Sequence, residues 1–314
     1  NLVRYRKTLC EESSRFVLRM EKALEMMNVK LHTVISDLTG KTGTAIVRAI
    51  LEGERDAKKF LPLVDGRIKA SAETIEKSLQ GHWREDQLFL LGEHYKSYQY
   101  FQSRIDSCDR AIEEQLKQYA AMRQDGELSG SDAKSEAVTV IKRKNKNAPS
   151  FNVHGYMLLV YGVNILAIYG ISEINALQIL AEVGTDMSKW KSAKHFVSWL
   201  NLCPNNKISG GKVISSRLAS KKPNAASQAF RMAANAIQRS DNWLGDYFRR
   251  MKAKGGNKYA IVATANKLAT IFYRMVSEQV EFNPVDMTEY REKQKLAKIA
   301  YLERRLKALK QQTA

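Results

Sequence analysis

The sequence predicts a mainly α protein: a long helical, coiled-coil-like unit, then a mostly helical domain with a helix-hairpin-helix and a Ser-Gly-Gly loop. Three observations carry this expectation. Apolar residues recur at helical spacing over long stretches near both ends of the chain. No stretch alternates apolar and polar residues strongly enough to read as a strand, Lys212 to Ile214 being at most a short one. Finally, 314 residues with 44% apolar content can bury substantial cores, and that length suggests two structured units joined by a linker.

From Leu2 to about Asn28, the residues Leu9, Phe16, Met20, Leu24 and Met27 follow at steps of 7, 4, 4 and 3, one face of a helix. A Gly-bearing patch at Thr39 to Gly43 and a short helical stretch around Ile46 to Leu51 come next. A longer pattern starts near Asp65. In it Leu91, Tyr95, Tyr98, Ile105, Cys108, Ile112, Leu116 and Tyr119 are spaced by 3, 4 or 7, close to a coiled-coil seam. That seam fits an intramolecular helical hairpin or a contact between two copies. Positions 124–150 lose the apolar period, carry Gly126, Ser129, Gly130, Ser131 and Pro149, and read as a linker. It ends in the basic run Lys142, Arg143, Lys144 and Lys146, a solvated tether or a set of phosphate contacts.

The run from Gly155 to Tyr169 is the most apolar of the chain. Asn164 breaks it, and it is shorter than the roughly 20 residues a membrane helix needs, so it predicts a buried helix. Trp190, Phe196 and Trp199 are core candidates of a second unit spanning 151–283. Its clearest helix is Lys258 to Val280, with Ile261, Leu268, Ile271, Phe272, Met275 and Val276 on one face and Pro284 as its stop. A charged helix from about Met287 to Lys310 closes the chain. The expected divisions are therefore 1–123, 124–150, 151–283 and 284–314.

The balance of 51 Lys and Arg against 33 Asp and Glu gives a formal charge of +18 and a pI near 9.7. From position 205 to 274, fourteen basic residues face two acids, Asp241 and Asp246. That surplus predicts a polyanionic partner, nucleic acid ahead of an anionic membrane surface, because Lys and Arg that neutralise phosphates release condensed counterions. Cys10, Cys108 and Cys203 are scattered and lack CxxC spacing, which points to a reducing cytoplasm rather than a disulfide framework or zinc site. His32, His82, His94, His154 and His195 lack the spacing of a metal site or catalytic triad and read as structural. No membrane segment or signal peptide is expected, and the start at Asn1 suggests that further residues precede it.

Two constellations bear chemistry. Ile168 to Ile174, followed by Ala176, Leu177, Ile179, Leu180 and Gly184, reads as helix, tight glycine turn, helix. In such a hairpin the N–H groups beside the second helix's N-terminus meet a DNA phosphate, with Gly170, Ile171 and Ser172 as the contacts; the alternative is a packing turn. The second is Asn206-Lys207-Ile208-Ser209-Gly210-Gly211-Lys212, where Ser209 is either a polar turn residue or a hydroxyl presented to a phosphate. Lys207, Lys212, Arg217, Lys221 and Lys222 stand close by, and Gly210 and Gly211 permit close approach of a backbone. Attack by a serine hydroxyl on a phosphodiester builds negative charge that fixed cations stabilise, and the planar fork of Arg217 matches two oxygens at once. A serine needs a base or a metal to activate it. This segment offers neither, so that group is expected from another domain or subunit. Ser215, Ser216 and Ser220 are rival nucleophiles that lack the adjoining glycine pair.

The hairpin from Gly170 to Gly184, then Trp199-Leu200-Asn201-Leu202-Cys203-Pro204, Ser209-Gly210-Gly211-Lys212, Arg217 and a helix through Arg231 and Ala234 resemble one known domain. It is the C-terminal transposase domain of the insertion-sequence one-ten transposases, RNA-guided recombinases that include pilin-type DNA invertases. The opening Arg4-Tyr5-Arg6-Lys7 and its helix resemble the segment after that family's N-terminal domain. The resemblance implies a DNA recombinase with a covalent phosphoserine intermediate at Ser209 and a noncoding bridge RNA that pairs with both DNA sites. It also implies active sites composed of the serine domain of one subunit and a RuvC-like domain of another. That domain's three aspartates and one glutamate bind Mg²⁺. Nothing in this chain matches the tetrad, so Mg²⁺ is expected through a domain before Asn1. The long helices around positions 65 to 120 are implied to join a dimer or tetramer. Ser172, Ser216 and Pro223 stand where the family usually has glycine. The alternative is a non-catalytic DNA- or RNA-binding relative whose serine loop only holds phosphate; a coiled-coil scaffold is the third reading.

Overall fold

The computed structural model of the chain describes residues 1–124, 147–218 and 224–312. Among them the protein is mainly α, with one two-stranded antiparallel sheet. The chain divides into two compact units, Asn1–Glu113 and Glu114–Ala314.

The first unit is built on α1 (Leu2–Met26), α2 (Lys41–Leu51), α3 (Ala72–Ser78) and the start of α4 (Glu85–Gln124). The face predicted for α1 is buried at Leu9, Met20, Leu24 and Met27, while Phe16 is half-buried and stacks on Phe101 of α4. Gln102 Nε2 donates to Ser13 Oγ at 2.8 Å, and Arg6 meets Asp109 in a two-point ion pair. Ascending numbers on α1 thus meet descending numbers on α4, an antiparallel hairpin within one chain. Of the seam positions in this unit, Leu91, Tyr95, Ile105, Cys108 and Ile112 are buried and Tyr98 is half-buried. Arg6 and Asp109 are themselves buried, and their pairing offsets the cost of removing both charges from water. Burial also pushes the thiols of Cys10 and Cys108 upward in pKa. The stretch from Asp65 to Arg84 is not one long helix: α3 occupies its middle, opened by Ser71, whose hydroxyl accepts from Thr74 N at 3.2 Å.

The second unit contains α5 (Val153–Tyr161), α6 (Glu173–Val183), α7 (Ala193–Trp199), β1 (Pro204–Ser209), β2 (Lys212–Leu218), α8 (Ala225–Ala236), α9 (Trp243–Glu278) and α10 (Met287–Gln312). The apolar run predicted as one buried helix is two pieces, α5 and a 3₁₀ turn at Ile165–Ala167, because the chain turns left-handed at Gly162. Ala226, Ala229, Ala233 and Ala234 keep α8 thin enough for close packing on α6 and α9. Phe196, Phe230 and Phe272 fill the space among α7, α8 and α9, with ring centroids 5.6 to 6.4 Å apart. The last turns of α9 match the helix read at Lys258 to Val280. The same element extends back to Trp243 across a break at Gly255 and Gly256. None of the described helices is long and apolar enough to cross a membrane.

The strands are the main departure from expectation. Where at most a short strand was foreseen, β1 and β2 form a complete hairpin. All six residues of β1 are exposed, so neither face selects apolar side chains and the sequence carries no alternation to read.

Candidate active site

The β1–β2 hairpin holds Ser209 at its tip. Ser209 pairs with Lys212 across the two-residue turn Gly210-Gly211, whose φ angles are +54° and +74°. A two-residue turn with both φ positive matches the right-handed twist of the strands, and glycine adopts it without steric cost. The glycines thus set the turn, and nothing lies within 4 Å of where their side chains would project. Ser209, Lys207 and Lys212 are exposed, and no described residue hydrogen-bonds the Ser209 hydroxyl. An open hydroxyl flanked by two ammonium groups can meet a phosphate from solvent, though nothing here raises its nucleophilicity.

The register separates Arg217 from this tip. Arg217 pairs with Asn205 near the root of the ladder, five residues along β2 from Lys212. At the usual rise per residue its backbone is about 15 Å from Ser209. Lys207, Ser209, Gly210, Gly211 and Lys212 are brought together; Arg217 is not among them. Ser216 donates to Asn206 Oδ1 at 2.7 Å across the strands, so this rival hydroxyl serves the ribbon. Between Lys207 and Ile208 the ladder slips, and β2 carries the extra residue Ile214. Lys221, Lys222 and the run Lys142, Arg143 and Lys144 lie outside the described residues.

The root of the ribbon is pinned by two side chains that no local sequence pattern marks as anchors. Arg231 of α8 donates to the carbonyl of Asn201 at 3.2 Å, and Asn266 of α9 donates to the carbonyl of Leu202 at 3.1 Å. Burial lowers the pKa of the Arg231 guanidinium. Asn201 itself is buried with φ at +53°, which turns the chain from α7 into β1. Below it, Trp190 packs on Phe196 and Trp199, and Tyr273 of α9 donates to the Trp190 carbonyl at 2.8 Å. An exposed ribbon is therefore carried on a rigid aromatic base.

The second constellation lies before α6. Gly170 has φ at +83°, and a side chain there would collide with the Ala233 carbonyl and come within 2.7 Å of Ile237 Cγ2. Close approach of this turn to α8 requires glycine. Ile171 is buried, its N–H donates to the Ile168 carbonyl, and Ser172 caps α6 by accepting from Asn175 N at 3.3 Å. Glu173 in the first turn already supplies the negative charge that a helix N-terminus favours. Gly170 serves the packing of this turn on α8, and Ser172 caps α6.

Among the described residues, no three of His, Cys, Asp or Glu come together as a metal site. His154 contacts Asn164 at 3.1 Å and His195 contacts Ser192 at 2.8 Å, local structural partners in each case. The described residues assemble no ligand set for the Mg²⁺ that the resemblance implies.

The stretch from Val163 to Arg249, which holds α6, α7, the ribbon, α8 and the start of α9, matches the family profile described as transposase, IS116/IS110/IS902 family. Over this stretch the chain is similar to that family's transposase domain. A curated relative from Pseudomonas aeruginosa, named "Probable family 20 transposase", is 29% identical over 128 residues. That similarity covers 38% of this chain and 36% of the relative. Within the matched stretch, the ribbon projects the exposed Ser209 hydroxyl between Lys207 and Lys212.

Proposed function

We propose that this chain acts in DNA transposition, cutting and rejoining DNA through a covalent phosphoserine at Ser209. The observation that carries the reading is Ser209 itself: an exposed hydroxyl at a glycine turn between Lys207 and Lys212, inside a domain with the sequence profile of transposases. In the cutting step Ser209 Oγ bonds to phosphorus, and the bond from phosphorus to one deoxyribose oxygen breaks. That oxygen takes a proton and leaves as a hydroxyl, while the serine proton passes to a base from outside this segment. Rejoining is the reverse, with a hydroxyl of the new strand displacing Ser209 Oγ. Lys207 and Lys212 hold the phosphate and offset the charge that develops on it.

The backbone of Arg217 stands about 15 Å along the ladder from Ser209. We assign it to the phosphate engaged by a second copy, in keeping with active sites composed between subunits of a dimer or tetramer. The activating carboxylates and their Mg²⁺ would come from a RuvC-like domain, and a noncoding guide RNA would choose the DNA sites.

Replacing Ser209 by Ala in the full-length protein, with strand exchange and DNA binding measured side by side, tests the reading. Exchange should fall to background while binding changes less than about threefold, since one neutral hydroxyl adds little to a salt-dependent contact. Unchanged exchange would remove Ser209 from the mechanism. Lost exchange with equally lost binding would favour the non-catalytic alternative, in which the ribbon only holds phosphate.

A further inference from the structure

Ile208 and Ile214 are 64% and 70% exposed, on a ribbon whose first strand buries nothing. Ile208 immediately precedes Ser209, and Ile214 occupies the slip in the ladder that faces it. By strand alternation Ile208 points to the ribbon face opposite the Ser209 hydroxyl, and these two solvent-exposed, β-branched apolar side chains have no role in the fold of this unit: the ribbon is rooted through Asn201 and Leu202, not through its tip. A surface meant only for phosphate would carry polar groups here.

The charge around them identifies what covers them. Between Asp186 and Asp241 the sequence has no acidic residue and ten Lys or Arg. Lys207 and Lys212 bracket the isoleucines on the ribbon, and neither pairs with a carboxylate among the described residues. A partner without anionic groups would leave those ammonium groups desolvated and unpaired. A DNA duplex offers both complements, with phosphates along its edge for the lysines and base faces inside for the isoleucines. A two-stranded ribbon also fits a DNA groove.

We propose that Ile208 and Ile214 are an apolar wedge that enters the base stack next to the phosphate engaged by Ser209, unstacking the step at which strands are exchanged. The inference rests on the reading that the ribbon meets DNA; it adds that the ribbon deforms DNA. Proteins that insert Ile, Leu or Phe between base steps bear the unstacking cost in binding, so a site already unpaired is bound more tightly. Unstacking also frees bases next to the break for pairing with another strand.

The test uses the full-length protein and short duplexes with a fluorescent adenine analogue at one central step, either fully paired or with a two-base mismatch there. The wild type should raise the fluorescence of the paired duplex and prefer the mismatched one by at least about tenfold. The variant Ile208→Thr/Ile214→Thr keeps β-branching, and with it the strand, but loses the apolar surface. It should lose the fluorescence rise and most of the preference, with an unchanged salt dependence of binding. Ile208→Leu/Ile214→Leu should retain all three properties. Ser209→Ala should keep the wild-type fluorescence rise, so the wedge can stand or fall apart from the nucleophile. No rise with the wild type, or a full rise with the Thr variant, would overturn the proposal. So would a Thr variant that keeps the rise but changes its sedimentation coefficient, which would assign the isoleucines to a contact between subunits.

Discussion

At the scale of single residues, glycine serves two different ends in this chain. Gly170 is held by contact: φ is +83°, and the Ala233 carbonyl and Ile237 leave no room for a Cβ. Gly211 is held by conformation alone, with φ at +74° and open space around it. Gly170→Ala should therefore cost at least about 2 kcal/mol of stability, from backbone strain plus a clash that must push the turn off α8. Gly211→Ala should cost about 1 kcal/mol or less and act on the ribbon tip rather than on the core. Urea unfolding of both variants checks this, and equal losses would contradict the contact argument. The sequence singled out both glycines but not the difference between them, because the partner of Gly170 lies more than sixty positions away on α8. Arg231 and Asn266 escaped notice as anchors for the same reason: each holds a carbonyl distant in sequence, and no local pattern records it.

At the scale of elements, helices that bury one face were legible and the ribbon was not. α1 and the last turns of α9 announce themselves through apolar residues at steps of three and four. The ribbon buries no face, so its sequence is free of alternation, and only the Ser-Gly-Gly turn marks it. α10 is legible as a helix, yet its attachment is electrostatic. Arg291 reaches Asp241 at 2.7 Å and Asp246 at 3.2 Å, Asp246 also pairs with Arg249, and Tyr290 packs against Trp243. Burial acts to raise the Asp246 carboxyl, but hydrogen bonds from Arg249 and Arg291 outweigh it and hold the group below the ordinary carboxylate range. A carboxyl depressed in the folded state stabilises fully above its unfolded pKa of about 3.9 and loses that contribution as pH falls through the folded value. The start of α10 should thus be protected from hydrogen exchange near neutrality and loosen below about pH 4. Asp246→Asn should show weak protection already at neutral pH and no further acid step. An acid step of the same size in that variant would mean that other groups govern α10.

At the scale of the whole molecule, spacing indicated the mainly α fold class, and the order of residues around Ser209 indicated the similarity to a transposase domain that residues 163–249 bear out. The relation between Ser209 and Arg217 was not legible. Eight positions apart in sequence, they look like neighbours, and pairing in a hairpin sends one to the tip and the other to the root. The division of labour between copies that we propose from this has a direct outcome. Ser209→Ala and Arg217→Ala proteins, each inactive alone, should recover part of wild-type exchange when mixed, because one composite site then has both groups intact. No recovery on mixing, with co-assembly verified, would place Arg217 in the site of its own chain or outside the chemistry.

The claim on which the rest depends is the bond between Ser209 and DNA. It is tested most directly by trapping the protein on a DNA site, digesting the complex with nuclease and trypsin, and weighing the peptide from Ile208 to Lys212. Cleavage after Lys207 and Lys212 isolates the serine with its two glycines in a single short fragment. The account predicts that this peptide carries the mass of a nucleotide phosphate, lost in Ser209→Ala. An unmodified peptide during active exchange, or an adduct on any other residue, would contradict it.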